Sequence, residues 1–346
     1  MSINNAADFF VQWHLTERCN LSCKHCYQTS GKITELSLAE IKNVLGEISD
    51  MLLAWSETYG ITFSPSLNIT GGEPFLHDDI FEILEDMRKR SFNIYLLSNG
   101  ILINAEIAKL LSWLGVRGVQ VSIEGPEKIH ESIRGNGTFS AALKGVRHLL
   151  DSGVNVTLNV TLSEINANHF LEIVKLASSL GVQKLGFSRL VPSGRGAVLL
   201  DKMLKKEAVE DIYREIFSLY IKGLELVTGD PVASQMSDRG EKDTGVVPTG
   251  GCAAGVSGLT LLPDGTVAPC RRLPIAIGNV RRDSLREIWA TSKVLESLRD
   301  KSQYGGKCRT CNRWAKCRGC RAIAYAYSRS KGGGDFLSED PQCFII

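Results

Sequence analysis

"VQWHLTERCNLSCKHC" (11–26) joins a short apolar run to three cysteines spaced C-x3-C-x2-C. A strand that ends in a loop of reactive residues is how α/β proteins expose a site, at the C-terminal ends of parallel strands. Similar β-branched or apolar runs recur at 66–70, 93–98, 118–123, 155–162 and 183–188. Segments with helical apolar spacing lie between them, at 38–53, 78–90, 102–114, 139–151 and 167–180. Such alternation implies right-handed βαβ crossovers and a parallel sheet. Six units fall short of an eight-fold barrel. The pattern alone allows a partial barrel or a doubly wound sheet.

The chain has 346 residues, enough for one large domain and a small one. A formal charge of +2 points to no polyanionic partner, and nucleic acid is not expected. The N-terminus carries no secretory pattern, and no apolar run reaches the ~18 residues a membrane helix needs. Ten cysteines without a secretory signal suit metal or redox work better than disulfides, which makes the cytoplasm the expected compartment.

The texture changes near residue 190. "VPSGRGA" (191–197) is turn-rich, 203–223 reads as a long amphipathic helix, and 228–251 is a polar, Gly-containing bridge. From Cys252 onward come seven cysteines. The expected units are 1–195, 196–250 and 251–346.

Cys19, Cys23 and Cys26 are interleaved with Asn20, Lys24 and His25, which does not read as core. Structural zinc takes four ligands, usually as two separated C-x2-C pairs. Three thiolates on one loop instead suit three corners of a 4Fe–4S cube, with one iron open to another molecule.

This spacing, the strand before it and the motifs after it resemble the radical S-adenosylmethionine enzymes. The resemblance implies that the open iron chelates the amino and carboxylate groups of the methionine moiety. An electron from the cluster then yields a 5′-deoxyadenosyl radical that abstracts a substrate hydrogen. Further motifs follow in the family's order, "TGGEP" (70–74), "SNG" (98–100), "VSIEG" (121–125) and "HESIRG" (130–135). By that resemblance Gly71, Gly72 and Glu73 meet the methionine amino group, and paired glycines let backbone approach a ligand closely. Ser98 contacts the cofactor, Ser122 bonds the ribose, and Arg134 grips the carboxylate with its planar fork. His25 lies near the adenine and Leu190 lends it an apolar contact. The fold it implies is a partial (β/α)6 TIM-like barrel. Glu124 is a candidate proton-handling group, and no other catalytic side chain is assigned.

The remaining cysteines, Cys252, Cys270, "CRTCNRWAKCRGC" (308–320) and Cys343, resemble the SPASM extension of this family. "LPDGTVAPC" (262–270) reads as a strand, a turn and a strand delivering Cys270. The resemblance implies that Cys308, Cys311, Cys317 and Cys343 hold an outer 4Fe–4S cluster and Cys252, Cys270 and Cys320 an inner one. Cys317 and Cys320 are two residues apart where the family usually has three, which leaves their partition open. A zinc ribbon is the alternative for 308–320, and the cations Lys307, Arg309, Arg313, Lys316, Arg318 and Arg321 would then invite a nucleic-acid reading. Cations beside a negatively charged cluster are the more local explanation.

Members of this subfamily modify peptides, mature sulfatases or assemble cofactors. About ten residues precede the first strand, so a separate leader-peptide domain is not expected. The leading expectation is a maturase that oxidatively modifies a peptide or protein, fed by a reductant such as flavodoxin or ferredoxin. The alternative is a cofactor-biosynthesis enzyme acting on a quinone- or haem-like small molecule. A third, non-enzymatic scaffold reading is opposed by the motifs at 71–74 and 122–134.

Overall fold

The apolar runs become strands whose side chains alternate between two unlike faces. A computed structural model describes residues 6–29, 33–236 and 247–345. The first half alternates β1 (Ala6–His14), α1 (Leu38–Tyr59), β2 (Thr62–Thr70), α2 (Ile80–Lys89), β3 (Asn93–Ser98), α3 (Ala105–Trp113) and β4 (Gly118–Ser122). It continues with α4 (Glu127–Arg134), α5 (Thr138–Asp151), β5 (Val156–Leu162), α6 (Phe170–Leu180) and β6 (Lys184–Arg189). These six strands pair in order and all in parallel.

Local signals set the helix limits. Ser37 caps α1 in a reciprocal box with Glu40, and Gly60, at φ 64°, ends it by donating to Ser56. In β5, Val156, Leu158, Val160 and Leu162 are buried in the apolar core, while Thr157, Asn159 and Thr161 alternate on the other face. Gln12, Gln120 and Ser188 continue that second face and line cavities. A parallel sheet is ordinarily apolar on both faces. Here one face is polar because it encloses a hollow.

The expected helix over 203–223 is shorter, α7 (Lys206–Ser218). The chain then turns and adds a seventh parallel strand, β7 (Glu225–Val227), beside β6. Three residues at a sheet edge carry too little alternation to be read from sequence. The expected bridge over 228–251 is also not all loop, since Pro231–Met236 form tight helical turns; positions 237–246 of it lie outside the described residues.

The hairpin expected over 262–270 forms a few residues earlier, as β8 (Gly258–Leu261) and β9 (Thr266–Ala268). It does not stand apart. β8 pairs in parallel with β1, so the sheet runs β10-β9-β8-β1-β2-β3-β4-β5-β6-β7, with β10 spanning Gly278–Asn279. The remaining helices are α8 (Leu285–Thr291), α9 (Lys293–Arg299) and α10 (Arg321–Ser330). The result is a partial TIM-like barrel whose open edge is extended by the cysteine-rich C-terminal part. Among the described residues, no helix is long and apolar enough to cross a membrane.

Candidate active site

The Cys19–Cys26 loop follows β1 and is clamped by backbone from three distant segments. Gly72 and Glu73 donate to the carbonyls of Thr16 and Arg18 at 2.7 and 2.8 Å. Lys24 donates to Ile133 at 2.9 Å, and Gly196 donates to Cys26 at 2.9 Å. A Cβ at Gly72 would lie 2.2 Å from the Arg18 carbonyl oxygen. The paired glycines thus admit the cysteine loop itself, a nearer reason for them than ligand approach. "VPSGRG" plays a similar part, since a Cβ at Gly194 would lie 2.2 Å from the Tyr27 carbonyl oxygen.

Cys19, Cys23 and Cys26 line one cavity together with His25, Gly71, Gly72, Ser98, Ser122, Arg134 and Leu190. Glu73 lies just behind it, fully buried, accepting from Ser98 Oγ at 2.8 Å and from the Asn99 amide at 2.9 Å. Burial pushes its carboxyl up to about 7, so a cation placed in the cavity would favour the ionised form. His25 Nδ1 is buried with no hydrogen-bond partner among the described residues, a polar atom left for a ligand. Leu190 is buried beside them. Three thiols, a buried acid, an unspent ring nitrogen and an apolar wall fit a 4Fe–4S cluster with S-adenosylmethionine.

Arg134 is otherwise engaged. Its Nη2 and Nε donate to Glu124 Oε1 at 2.6 and 3.0 Å, and its Nη1 lies 3.7 Å from Cys23 Sγ. Glu124 also accepts from the Thr161 amide at 2.9 Å and faces His25 Nε2 at 3.3 Å. Burial by itself would raise the Glu124 carboxyl, but Arg134 and His25 overcome it and hold it well below the usual carboxylate range. Such a carboxylate stays ionised and is a poor proton carrier; it anchors Arg134 and His25.

The other seven cysteines fall into two sets. Cys308, Cys311, Cys317 and Cys343 line a cavity of about 320 Å³. Cys252, Cys270 and Cys320 line another of about 420 Å³. Cys317 and Cys320 open onto different cavities, with Arg318 and Gly319, both at φ 60°, between them. Two successive left-handed residues redirect the chain within the short spacing.

Two members of the basic run are turned inward rather than to the surface. Arg318 and Arg321 are buried, and Arg321 Nη1 donates to the carbonyls of Phe336 and Ser338 at 3.0 and 2.7 Å. Arg318 ties down the carbonyls of Ala315 and Cys252. Trp314 is buried edge-on against Tyr304.

One feature of the site carries no sequence motif. Arg189, at the end of β6, donates to Asp230 at 2.7 and 2.9 Å and to Asp340 at 2.8 and 3.0 Å. Asp340 in turn accepts from the Cys320 amide at 2.8 Å, and Gln342 accepts from Arg189 at 2.8 Å. The network fixes the chain around Cys320 and Cys343 to the barrel.

Residues 13–177 match the radical SAM superfamily, and residues 252–312 match SPASM, an iron–sulfur cluster-binding domain. An AdoMet-dependent heme synthase of Nitratidesulfovibrio vulgaris is 30% identical, over 96% of this chain and 91% of its own. The chain belongs to the radical SAM superfamily. As a radical SAM enzyme with a SPASM domain, it uses S-adenosylmethionine and 4Fe–4S clusters. The mycofactocin maturase MftC of Mycolicibacterium smegmatis is 28% identical, over 97% of this chain and 83% of its own. Streptococcus suis SuiB bound to S-adenosylmethionine shares the fold, with a TM-score of 0.77 at 16% identity, over 98% of this chain and 78% of that one.

Proposed function

We propose that this radical SAM enzyme oxidatively modifies a peptide or protein after abstracting hydrogen from it. The observation that carries this reading is a shared wall. Gln120, Asn159, Ser188, Arg271 and Arg272 line both the cavity of the Cys19 loop and that of Cys252, Cys270 and Cys320. A substrate lodged there meets a radical source on one side and an electron sink on the other. When bound, S-adenosylmethionine and the cluster of Cys19, Cys23 and Cys26 supply the 5′-deoxyadenosyl radical. Loss of a hydrogen atom to that radical and of an electron to the far side leaves the substrate oxidised by two electrons.

In this proposal Glu73 holds the methionine ammonium, Ser122 the ribose, and His25 and Leu190 the adenine. Arg134 reaches the methionine carboxylate from its Glu124 anchor. Cys308, Cys311, Cys317 and Cys343 hold the outer cluster, and Cys252, Cys270 and Cys320 the inner one. The two separate cavities support that partition. The likeness to the mycofactocin maturase supports a peptide substrate.

A second reading, a haem-like small molecule, is favoured by the heme synthases, which match at up to 30% identity over most of their length. One experiment separates them. Cluster-loaded enzyme, reductant and S-adenosylmethionine are offered either the peptides encoded beside the gene or a porphyrin carboxylate. A change in peptide mass that keeps pace with 5′-deoxyadenosine supports the maturase; modification of the porphyrin alone overturns it.

A further inference from the structure

We propose that Arg271, Arg272 and Gln12 form a carboxylate-binding subsite in the chamber between the Cys19 loop and Cys270. The inference rests on that chamber being the substrate site. Directly after β9 the chain turns, with Leu273 donating to the Cys270 carbonyl at 2.9 Å. Arg271 and Arg272 occupy the two corner positions of this turn. Corners usually sit in solvent and favour Gly, Asn, Asp or Pro. Here both corner residues are long cations turned into a cavity.

Neither arginine has a carboxylate of its own. Arg272 makes no hydrogen bond or ion pair among the described residues, and its Nε is buried without a partner. Arg271 Nη1 donates to the amide oxygen of Gln12, which leaves Gln12 Nε2 buried and unpaired. The carboxylate that acts on Arg272, Asp230, is already taken by Arg189 at 2.7 Å and by Tyr213 at 2.8 Å. The chamber therefore presents donors and positive charge with no free carboxylate to meet them. Unpaired buried donors cost free energy, which a ligand made of acceptor atoms relieves. A planar guanidinium pairs with a carboxylate through two parallel bonds. The ligand class is a carboxylate, either a peptide's C-terminus or acidic side chain, or an acidic side chain of a small ring.

The thiols of Cys270 and Cys320 also adjoin Arg272, so the pair could instead serve the cluster there. Binding measurements on cluster-loaded protein, made without turnover, tell the two apart and do not depend on the proposed chemistry. The probes are short peptides with a free C-terminal carboxylate and their C-terminal amides, and a porphyrin tetracarboxylate and its methyl ester. Wild-type protein should bind at least one carboxylate more tightly than its neutral counterpart, and which one identifies the source. Arg272→Gln should raise that Kd about 10-fold or more, the size of a lost charged hydrogen bond. The neutral counterpart should bind unchanged, and Arg272→Lys should recover part of the loss. Iron content and the circular dichroism spectrum check that each variant is loaded and folded. The proposal falls if wild-type prefers no carboxylate, or if Arg272→Gln weakens acid and neutral probes equally. It falls too if the variant only moves the inner cluster's midpoint potential.

Discussion

The two cysteine-bearing regions are built on opposite plans. The first three thiols come from eight consecutive residues, and backbone hydrogen bonds from 72–73, 133 and 195–196 hold their loop. The other seven come from positions spread over 252–343, and buried side chains hold them: Arg189 with Asp230 and Asp340, then Arg318, Arg321 and Gln235. A compact motif needs only strand ends to brace it. A dispersed one needs long side chains that reach across the chain, and these must be buried and paired.

Removing one region's thiols should separate the two plans most clearly. Replacing Cys19, Cys23 and Cys26 together by Ala should abolish cleavage of S-adenosylmethionine and remove one cluster's iron, sparing the rest. Iron and sulfide analysis with a 5′-deoxyadenosine assay reads both; surviving cleavage would move the radical source elsewhere. Cys270→Ala should do less. Cleavage should persist, uncoupled from product, because Cys270 lines the second cavity and not that of the Cys19 loop. A folded variant with full product turnover would show that cluster to be structural.

Asp340→Asn tests the side-chain plan. Arg189 and Asp340 are both fully buried, but Arg189 keeps Asp230, so the expected cost is that of weakened charged hydrogen bonds, about 1.5–3 kcal/mol. Chemical denaturation should show this loss, and iron should leave the Cys320 and Cys343 clusters before that of the Cys19 loop. Equal loss from all sites would mean that the network stabilises the barrel as a whole.

Much of the first region was legible because it is local. Strand alternation, helical apolar spacing and three cysteines in eight residues all act over short stretches, and six parallel strands follow from them. The second region was legible in its residues but not in its supports. The pairing of β8 with β1 joins Gly258 to Phe10, and no window of sequence contains both. Arg189 and Asp340 are 151 positions apart, and each looks like an ordinary charged surface residue until the fold buries it. Arg134 shows a different limit. Its motif marked it for a cofactor carboxylate, whereas Glu124, ten residues before it, takes two of its donors.

Side-chain support can also do more than hold thiols in place. Gln235 Nε2 lies 3.3 Å from Cys343 Sγ and 3.5 Å from Cys317 Sγ, two thiols of the outer set. Its amide is oriented by the Phe344 N–H, which donates to Oε1 at 3.3 Å and so turns the NH2 toward the sulfurs. Hydrogen bonds to cluster sulfurs stabilise the more negative, reduced state and raise its potential. Gln235→Leu removes both donors at similar volume. The midpoint potential of the outer cluster should fall by tens of millivolts, since 59 mV corresponds to about a tenfold change for one electron. The cluster of the Cys19 loop should not move. Redox titration followed by EPR resolves the two sites, and Gln235→Glu controls for volume while presenting acceptors in place of donors. An unchanged outer potential in Gln235→Leu, with full iron content, would reduce Gln235 to packing and leave the side-chain plan purely mechanical.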